Sequence, residues 1–292
     1  MKTAIIDRKD WVVKIENNAI KLDTQTIPLK LIDLLILNHK VTCTTSDLLK
    51  FSQNDVSVLI VSFNNSNISM LHSANAKNSA LKLQQYNSLE NSLEFAKYFI
   101  TNKIITHNQQ LQSMGFDIDS DVLMKLYSAD TLEEILGIEG SYARWYFEKY
   151  FQKISKKFHK SKRSKRPPQD PLNALLSYWY SLFYNIISVE LLRYGFEPAM
   201  GYLHKPFRSH FALSSDFLEL FRAAINQAVY RIFENELLEM DDFSKKGGVY
   251  LKYSGRKKVW QEFVALIEIL KPQLDKHIAH VRGMIDEADS HH

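Results

Sequence analysis

The sequence predicts an α+β protein: a small β-rich N-terminal domain over residues 1–75, then a larger, mostly α-helical domain over residues 76–292. Three observations carry this expectation. Short apolar runs separated by turn residues fill the first part. From about Ala76 onward, apolar residues recur every three or four positions. Nine Gly and seven Pro are also few for 292 residues, which favours helices.

In order, residues 11–15 alternate as a strand does, and Asn17-Asn18 follows as a turn signal. Residues 19–22 and 26–29 read as further strands, with Pro28 suited to an edge or a strand start. Residues 29–35 fit either a short helix or a buried strand. Residues 56–63 form the clearest strand, apolar enough for a central position, and 64–67 turn the chain into 68–71. The helical pattern then runs from Leu81 to Ile105, is punctuated at Gly115, and resumes over 121–126. Residues 131–136 read as a short amphipathic turn, and 138–141 as the opening of a long helix with Ala143, Tyr146, Phe147 and Tyr150 on its apolar side. Asp170 and Pro171 have the form of an N-cap and first helical residue. The helix they open, closed by Gly195, is apolar nearly all round and belongs in the core of the second domain. Gly247-Gly248 marks a turn before an extended piece at 249–251, and residues 259 to about 285 close the chain as helix.

A hydrophobic fraction of 45% with 24% charged residues belongs to a folded chain. The single Cys43 excludes a disulfide framework and a cysteine-rich zinc site, and points to a reducing compartment. The charged start (Asp7, Arg8, Lys9, Asp10) is unlike a signal peptide, and no apolar run reaches a membrane-spanning length. A cytoplasmic protein is expected. The net charge of +4 is local in origin. Eight of the 37 Lys and Arg lie within residues 153–166, which hold no acid; the other 29 face 33 Asp and Glu. Such a run is either a solvated loop or a grip for a polyanion.

There is no Gly-rich phosphate loop, HExxH, GxSxG or cysteine pair. Carboxylate and imidazole chemistry remains. Asp216 and Glu219, three apart, would share a helix face and could hold a divalent ion. The same spacing also has the form of a capping box. His204, between Gly201 and Pro206, is a loop histidine that is a ligand or simply exposed. Glu139 could complement a helix dipole, and His277 with His280 sit one turn apart as a minor zinc candidate.

Joined in register, four segments resemble a known family. They are Leu136-Gly137-Ile138-Glu139-Gly140, the run from Pro168 to Tyr178, Gly201-Tyr202-Leu203-His204, and Ser215-Asp216-Phe217-Leu218-Glu219-Leu220-Phe221-Arg222. Weaker matches are Asn102-Lys103-Ile104 with Asn108-Gln109, Phe243 with residues 247–251, and Gly255-Arg256. Together they are similar to the CRISPR-associated integrases, the catalytic subunits of spacer acquisition. Departures are Leu220 for a glutamate, Ser215 for a leucine, and Trp179 for a small residue.

The resemblance implies a metal-dependent DNA endonuclease and integrase that inserts short fragments into a repeat array through 3′-hydroxyl attack on a phosphodiester. It implies magnesium or manganese held by Glu139, His204 and Glu219, with Asp216 as neighbour or auxiliary ligand. Lys160, Arg163 and Arg166, with Lys205 and Arg208 beside His204, would grip DNA. Implied partners are double-stranded DNA (protospacer and repeat array), a second copy of the chain, and a small ferredoxin-like subunit. Two alternatives remain: a non-catalytic DNA-binding or assembly protein on the same scaffold, and a mobile-element integrase. The latter is disfavoured because no extra DNA-binding domain is apparent after about residue 285.

Overall fold

The computed structural model describes residues 2–8, 10–22, 25–38, 40–62, 68–72, 78–206 and 210–289. It divides into two compact units. One holds the residues up to 77 with Ile267–Pro272; the other holds Asn78–Leu266 and Gln273–His292.

The first unit carries β1 (Thr3–Ile6), β2 (Lys14–Glu16), β3 (Ala19–Lys21), β4 (Thr26–Pro28), β5 (Leu34–Asn38), α1 (Thr45–Gln53), β6 (Ser57–Val61) and β7 (Ile68–Leu71). β2, β3 and β4 form an antiparallel meander. Its first turn places Asn17 and Asn18 at φ 50° and 55°, the left-handed pair that a tight hairpin requires. Pro28 lies on the edge strand, where a missing N–H breaks no ladder. The second sheet runs β1-β5-β6-β7, with β5 parallel to both neighbours and β7 antiparallel to β6. Residues 29–35, open in sequence, resolve into a short 3₁₀ turn at Leu29–Leu31 followed by buried β5. Helix α1 escaped the sequence reading. Parallel strands β5 and β6 cannot be joined by a hairpin, and α1 is the crossover between them. Its signal was present at Thr44, whose hydroxyl accepts from the Asp47 N–H while Asp47 accepts from the Thr44 N–H.

The second unit holds α2 (Ser79–Asn87), α3 (Ser92–Ser113), α4 (Asp121–Tyr127), α5 (Leu132–Gln152), α6 (Pro171–Tyr194), α7 (Ala212–Glu219), α8 (Arg222–Glu234), the hairpin β8 (Phe243–Lys245) and β9 (Val249–Leu251), and α9 (Tyr253–Asp289) apart from Ile267–Pro272. Two expectations need correction. The turn expected at 131–136 and the helix expected from 138 are one helix, α5, opened by a Thr131–Glu134 capping box. Glu139 therefore lies in mid-helix, too far from the terminus for a dipole role. Likewise α7 starts at Ala212, so Asp216 is interior to it and is no cap.

Helix α6 is as expected. The Asn173 N–H donates to Asp170 at 2.8 Å, and Gly195 closes the helix at φ 91°. The core around α6 is cross-linked by a buried polar network. Asn226 of α8 donates to the Tyr146 hydroxyl at 2.8 Å and accepts from Tyr180, while its carbonyl accepts from Tyr150 at 2.8 Å. Two helices, α5 and α6, are thus pinned to α8 through one asparagine, which fixes the relative rotation of the helices that carry the site.

The basic segment is moored, not loose. Phe158 and His159 are buried, and the Lys160 N–H donates to Asp170 at 3.1 Å. Asn173 donates to the Lys162 carbonyl at 2.9 Å and accepts from the Ser164 N–H at 3.0 Å. The Val249 N–H donates to the Pro168 carbonyl at 2.9 Å, so the β8–β9 hairpin clasps the segment's far end. A side chain at Gly248 would meet Pro167 at 2.6 Å, which explains the glycine there.

Because Asp170 both caps α6 and anchors Lys160, Asp170→Ala is expected to destabilise the protein by about 2 kcal/mol, the upper end of the N-cap range. Asp170→Asn should recover most of the loss. Urea unfolding midpoints of the three proteins measure this.

Candidate active site

The site forms where α3, α5, α7 and the start of α8 pack together in the second unit. Asp216 is fully buried, yet its carboxylate is saturated. Oδ2 accepts from the N–H groups of Tyr202 at 2.7 Å and Leu203 at 3.1 Å, and Oδ1 from the His204 N–H at 2.9 Å and its Nδ1 at 2.7 Å. One carboxylate thus folds the Gly201-Tyr202-Leu203-His204 loop around itself. Gly201 is required for the approach, since a Cβ there would lie 2.8 Å from the Ala212 Cβ and 2.9 Å from Asp216 Oδ2. Tyr202 is locked by stacking on Phe95 at 3.8 Å and by its hydroxyl's 2.8 Å bond to Ser88.

A carboxylate accepts and cannot donate when ionised, so Nδ1 of His204 carries the proton and the neutral ring keeps its lone pair on Nε2. Burial opposes the charged form of His204, but the hydrogen bond and charge of Asp216, aided by Glu219, outweigh it and raise its pKa.

The second half of the site is an ion cluster. Glu139 of α5 and Glu219 at the end of α7 both contact the ammonium of Lys103 from α3, Glu219 at 2.5 Å. Glu219 also accepts from Arg222 Nε at 2.7 Å. Burial would raise the Glu219 pKa; Arg222 and Lys103 reverse this and hold it well below the usual carboxylate range. Arg222 lies over the Tyr180 ring at 4.6 Å. Arg163 lies over the same ring at 5.6 Å and donates to Asn173 at 2.9 Å and Ser177 at 3.1 Å. Lys165 follows, its pKa lowered by partial burial and then by Arg222 and Arg163, against the pull of Glu219 and Glu139. The basic segment is connected to the carboxylates through Tyr180, over which lie both Arg163 and Arg222, the partner of Glu219.

Glu139 and Glu219 are brought onto one ammonium, and His204 stands within electrostatic reach of Glu219. Among the described residues, no three His, Cys, Asp or Glu side chains are gathered as a ready metal cage. The cation between the carboxylates is Lys103. Two carboxylates and an imidazole nitrogen fit magnesium or manganese by donor type. Of the basic residues singled out from sequence, Lys160 and Arg166 are exposed, Arg163 is tied to α6, and Lys205 pairs loosely with Glu133 at 3.5 Å. Arg208 lies outside the described residues. His277 and His280 pack on Tyr98 instead, whose hydroxyl meets His277 Nδ1 at 2.5 Å and whose ring stacks on His280 at 4.5 Å. Trp179 is fully buried against Phe263.

Sequence reasoning missed Lys103, Arg222 and Lys165 as parts of the site, and His210. His210 stacks on Tyr184 and meets Ser215 Oγ at 3.0 Å. Lys103 and Arg222 fell within motifs already noted, but residue type alone suggested no metal role for a cation.

The profile of the family described as CRISPR associated protein Cas1 matches residues 2–265. A CRISPR-associated endonuclease Cas1 of Thermodesulfovibrio yellowstonii is 31% identical over 284 residues, 89% of each chain. Another from Clostridium perfringens is 36% identical over 140 residues, 46% of this chain and 42% of its own. Among solved structures, a CAS1 protein from Thermotoga maritima superposes with a TM-score of 0.88 at 19% identity, covering 98% of this chain and 97% of that one. A casposase bound to integration product superposes at 0.80 with 24% identity, covering 91% and 83%. These findings define the class as CRISPR-associated endonucleases. The chain belongs to the Cas1 family. Among the described residues, no helix is long and apolar enough to cross a membrane.

The His204 pKa is raised on folding, so the stability from its charged pairing with Asp216 is fully present below the unfolded value of about 6.5 and is lost as pH rises through the folded value. The gap in unfolding midpoint between the protein and His204→Gln is therefore expected to be widest below about pH 6.5 and to narrow as pH rises beyond it. Denaturant titrations across that pH range measure it.

Proposed function

We propose that Glu139, Glu219 and His204, through Nε2, hold a divalent magnesium or manganese ion, and that this site inserts short DNA fragments into a CRISPR repeat array. The observation that carries the reading is the placement of carboxylates from two different helices on a single cation, with an oriented imidazole alongside. When bound, the ion would polarise a phosphodiester and ease ionisation of an attacking 3′-hydroxyl or water.

The chain's own residues supply the rest. Asp216, with every acceptor position engaged, acts as the orienting group for His204 and not as a ligand. Arg222 keeps Glu219 ionised. Lys165, at the site's edge, is placed to meet a phosphate. Lys160, Arg166 and Lys205 hold the DNA backbone, with Arg208 assigned the same role from its place in sequence. Arg163, anchored to α6, stiffens the segment that presents them. The proposed partners are protospacer and repeat DNA, a second copy of the chain, and a small ferredoxin-like subunit. Solved complexes titled as containing Cas1 with Cas2 share this fold, one at a TM-score of 0.78 and 20% identity, covering 98% of this chain and 35% of that one.

The test is joining of a short duplex to a supercoiled plasmid with manganese or with chelator. Glu139→Ala, His204→Ala and Glu219→Gln are each expected to lower metal-dependent joining by about 10²-fold or more, with the helical circular dichroism signal retained. Equal joining with chelator, or by all three variants, would overturn the metal-ligand assignment, whereas DNA binding with no joining in manganese would favour the non-catalytic DNA-binding reading. Asp216→Asn should cost about 10- to 100-fold, as loss of an outer-shell partner does.

Backbone gripping makes a second prediction. Lys160→Ala with Arg166→Ala should weaken binding to all duplexes alike and reduce the log–log salt slope by about 0.9 per lost phosphate contact. Loss confined to one DNA sequence, seen by fluorescence anisotropy, would contradict it.

A further inference from the structure

We propose that the Lys103 ammonium is the resident counter-cation of this site, and that a divalent ion enters only by displacing it, together with a DNA phosphate that receives the displaced charge. This rests on the reading that Glu139 and Glu219 are metal ligands.

Lys103 is buried at 3% exposure, on the α3 face that also buries Phe99, Ile100 and Ile104. Its stem is therefore enclosed by the core, and its ammonium lies against both glutamates. Two carboxylates are matched by two cations, Lys103 and Arg222, so the pair is already neutralised before any metal arrives. A divalent ion cannot share those oxygens with an ammonium, because both cations would occupy one seat and repel at contact distance.

The two cations differ in what they can do. Arg222 grips Glu219 through Nε and is held over Tyr180, which fixes the guanidinium. Lys103 has a flexible four-carbon stem and three rotatable donors, so its charge can turn away from the carboxylates. Metal entry then leaves two positive charges in surplus, one of them the displaced ammonium. A DNA phosphate offsets part of that surplus and accepts a hydrogen bond from the freed ammonium. Metal and DNA must therefore bind with positive coupling, and by reciprocity each strengthens the other. A metal-free site kept neutral by Lys103 holds metal weakly until DNA is present, which restricts the loaded state to the DNA complex.

The experiment is a Mn²⁺ titration of the full chain, following free ion by its electron paramagnetic resonance signal, with and without a short DNA duplex. In the unaltered protein the duplex should tighten Mn²⁺ binding at least fivefold. Lys103→Met should tighten duplex-free binding about tenfold or more and shrink the duplex effect toward none, while Lys103→Arg, which keeps a cation on the carboxylates, should give no such tightening. Absence of coupling in the unaltered protein overturns the proposal, and this arm stands even if Lys103→Met fails to fold. A folded Lys103→Met with unchanged or weaker Mn²⁺ binding also overturns it. Glu219→Gln separates the two layers. If it abolishes Mn²⁺ binding while Lys103→Met changes nothing, the counter-cation idea alone fails. If it leaves binding untouched, the ligand assignment fails and takes this proposal with it.

Discussion

Two carboxylates, those of Asp216 and Glu219, are almost completely enclosed on one short helix, and the rest of the site follows from the partners that each finds there. A buried charge without partners is expensive enough to neutralise itself or unfold its surroundings. The two acids are compensated in different ways. Asp216 is paired with three backbone N–H groups and an imidazole, so it shapes a loop. Glu219 is paired with two side-chain cations from α3 and α8, so it ties helices together. The loop-shaping acid positions a histidine, and the helix-tying acid stands opposite Glu139.

That arrangement is rigid because of its setting. The buried tyrosines around Asn226 set the rotation of α5, α6 and α8, and α6 anchors the basic segment through Asp170 and Asn173. The aromatic face of Tyr180 connects the two regions, with Arg222 and Arg163 both lying over it. The positive segment, which a sequence alone permits to be a floppy loop, is in this way delivered to the edge of the acidic cluster. A nuclease that handles polyanions needs this polarity: positive charge where the backbone lies, and negative charge where a metal sits.

Wherever local chemistry decided the outcome, the sequence was readable. The Asn17-Asn18 turn, the edge position of Pro28, the capped and glycine-closed α6, and the central apolar strand β6 each follow from propensities within a few residues. Errors arose where long-range packing overrode local signals. Residues 138–141 read in sequence as the opening of a helix, but α5 runs through them from Leu132, and nothing within 4 Å would meet a Cβ at Gly137 or Gly140. The Asp216–Glu219 spacing imitates a capping box, yet the start of α7 is set upstream. Helix α1 is required by the parallel pairing of β5 with β6, which only the sheet reveals.

By itself, the sequence determined the α+β order, the placement of positive charge in one run, and the acids and histidine that the family motifs single out, because these reside in residue types and short spacings. The tertiary structure alone decided what those residues are to each other. It made Asp216 the clasp of the histidine loop and Lys103 the cation between Glu139 and Glu219. Those relations join helices 36 and 116 residues apart in sequence from Lys103, and separations of that size leave no periodic trace, since they exist only once the helices have packed.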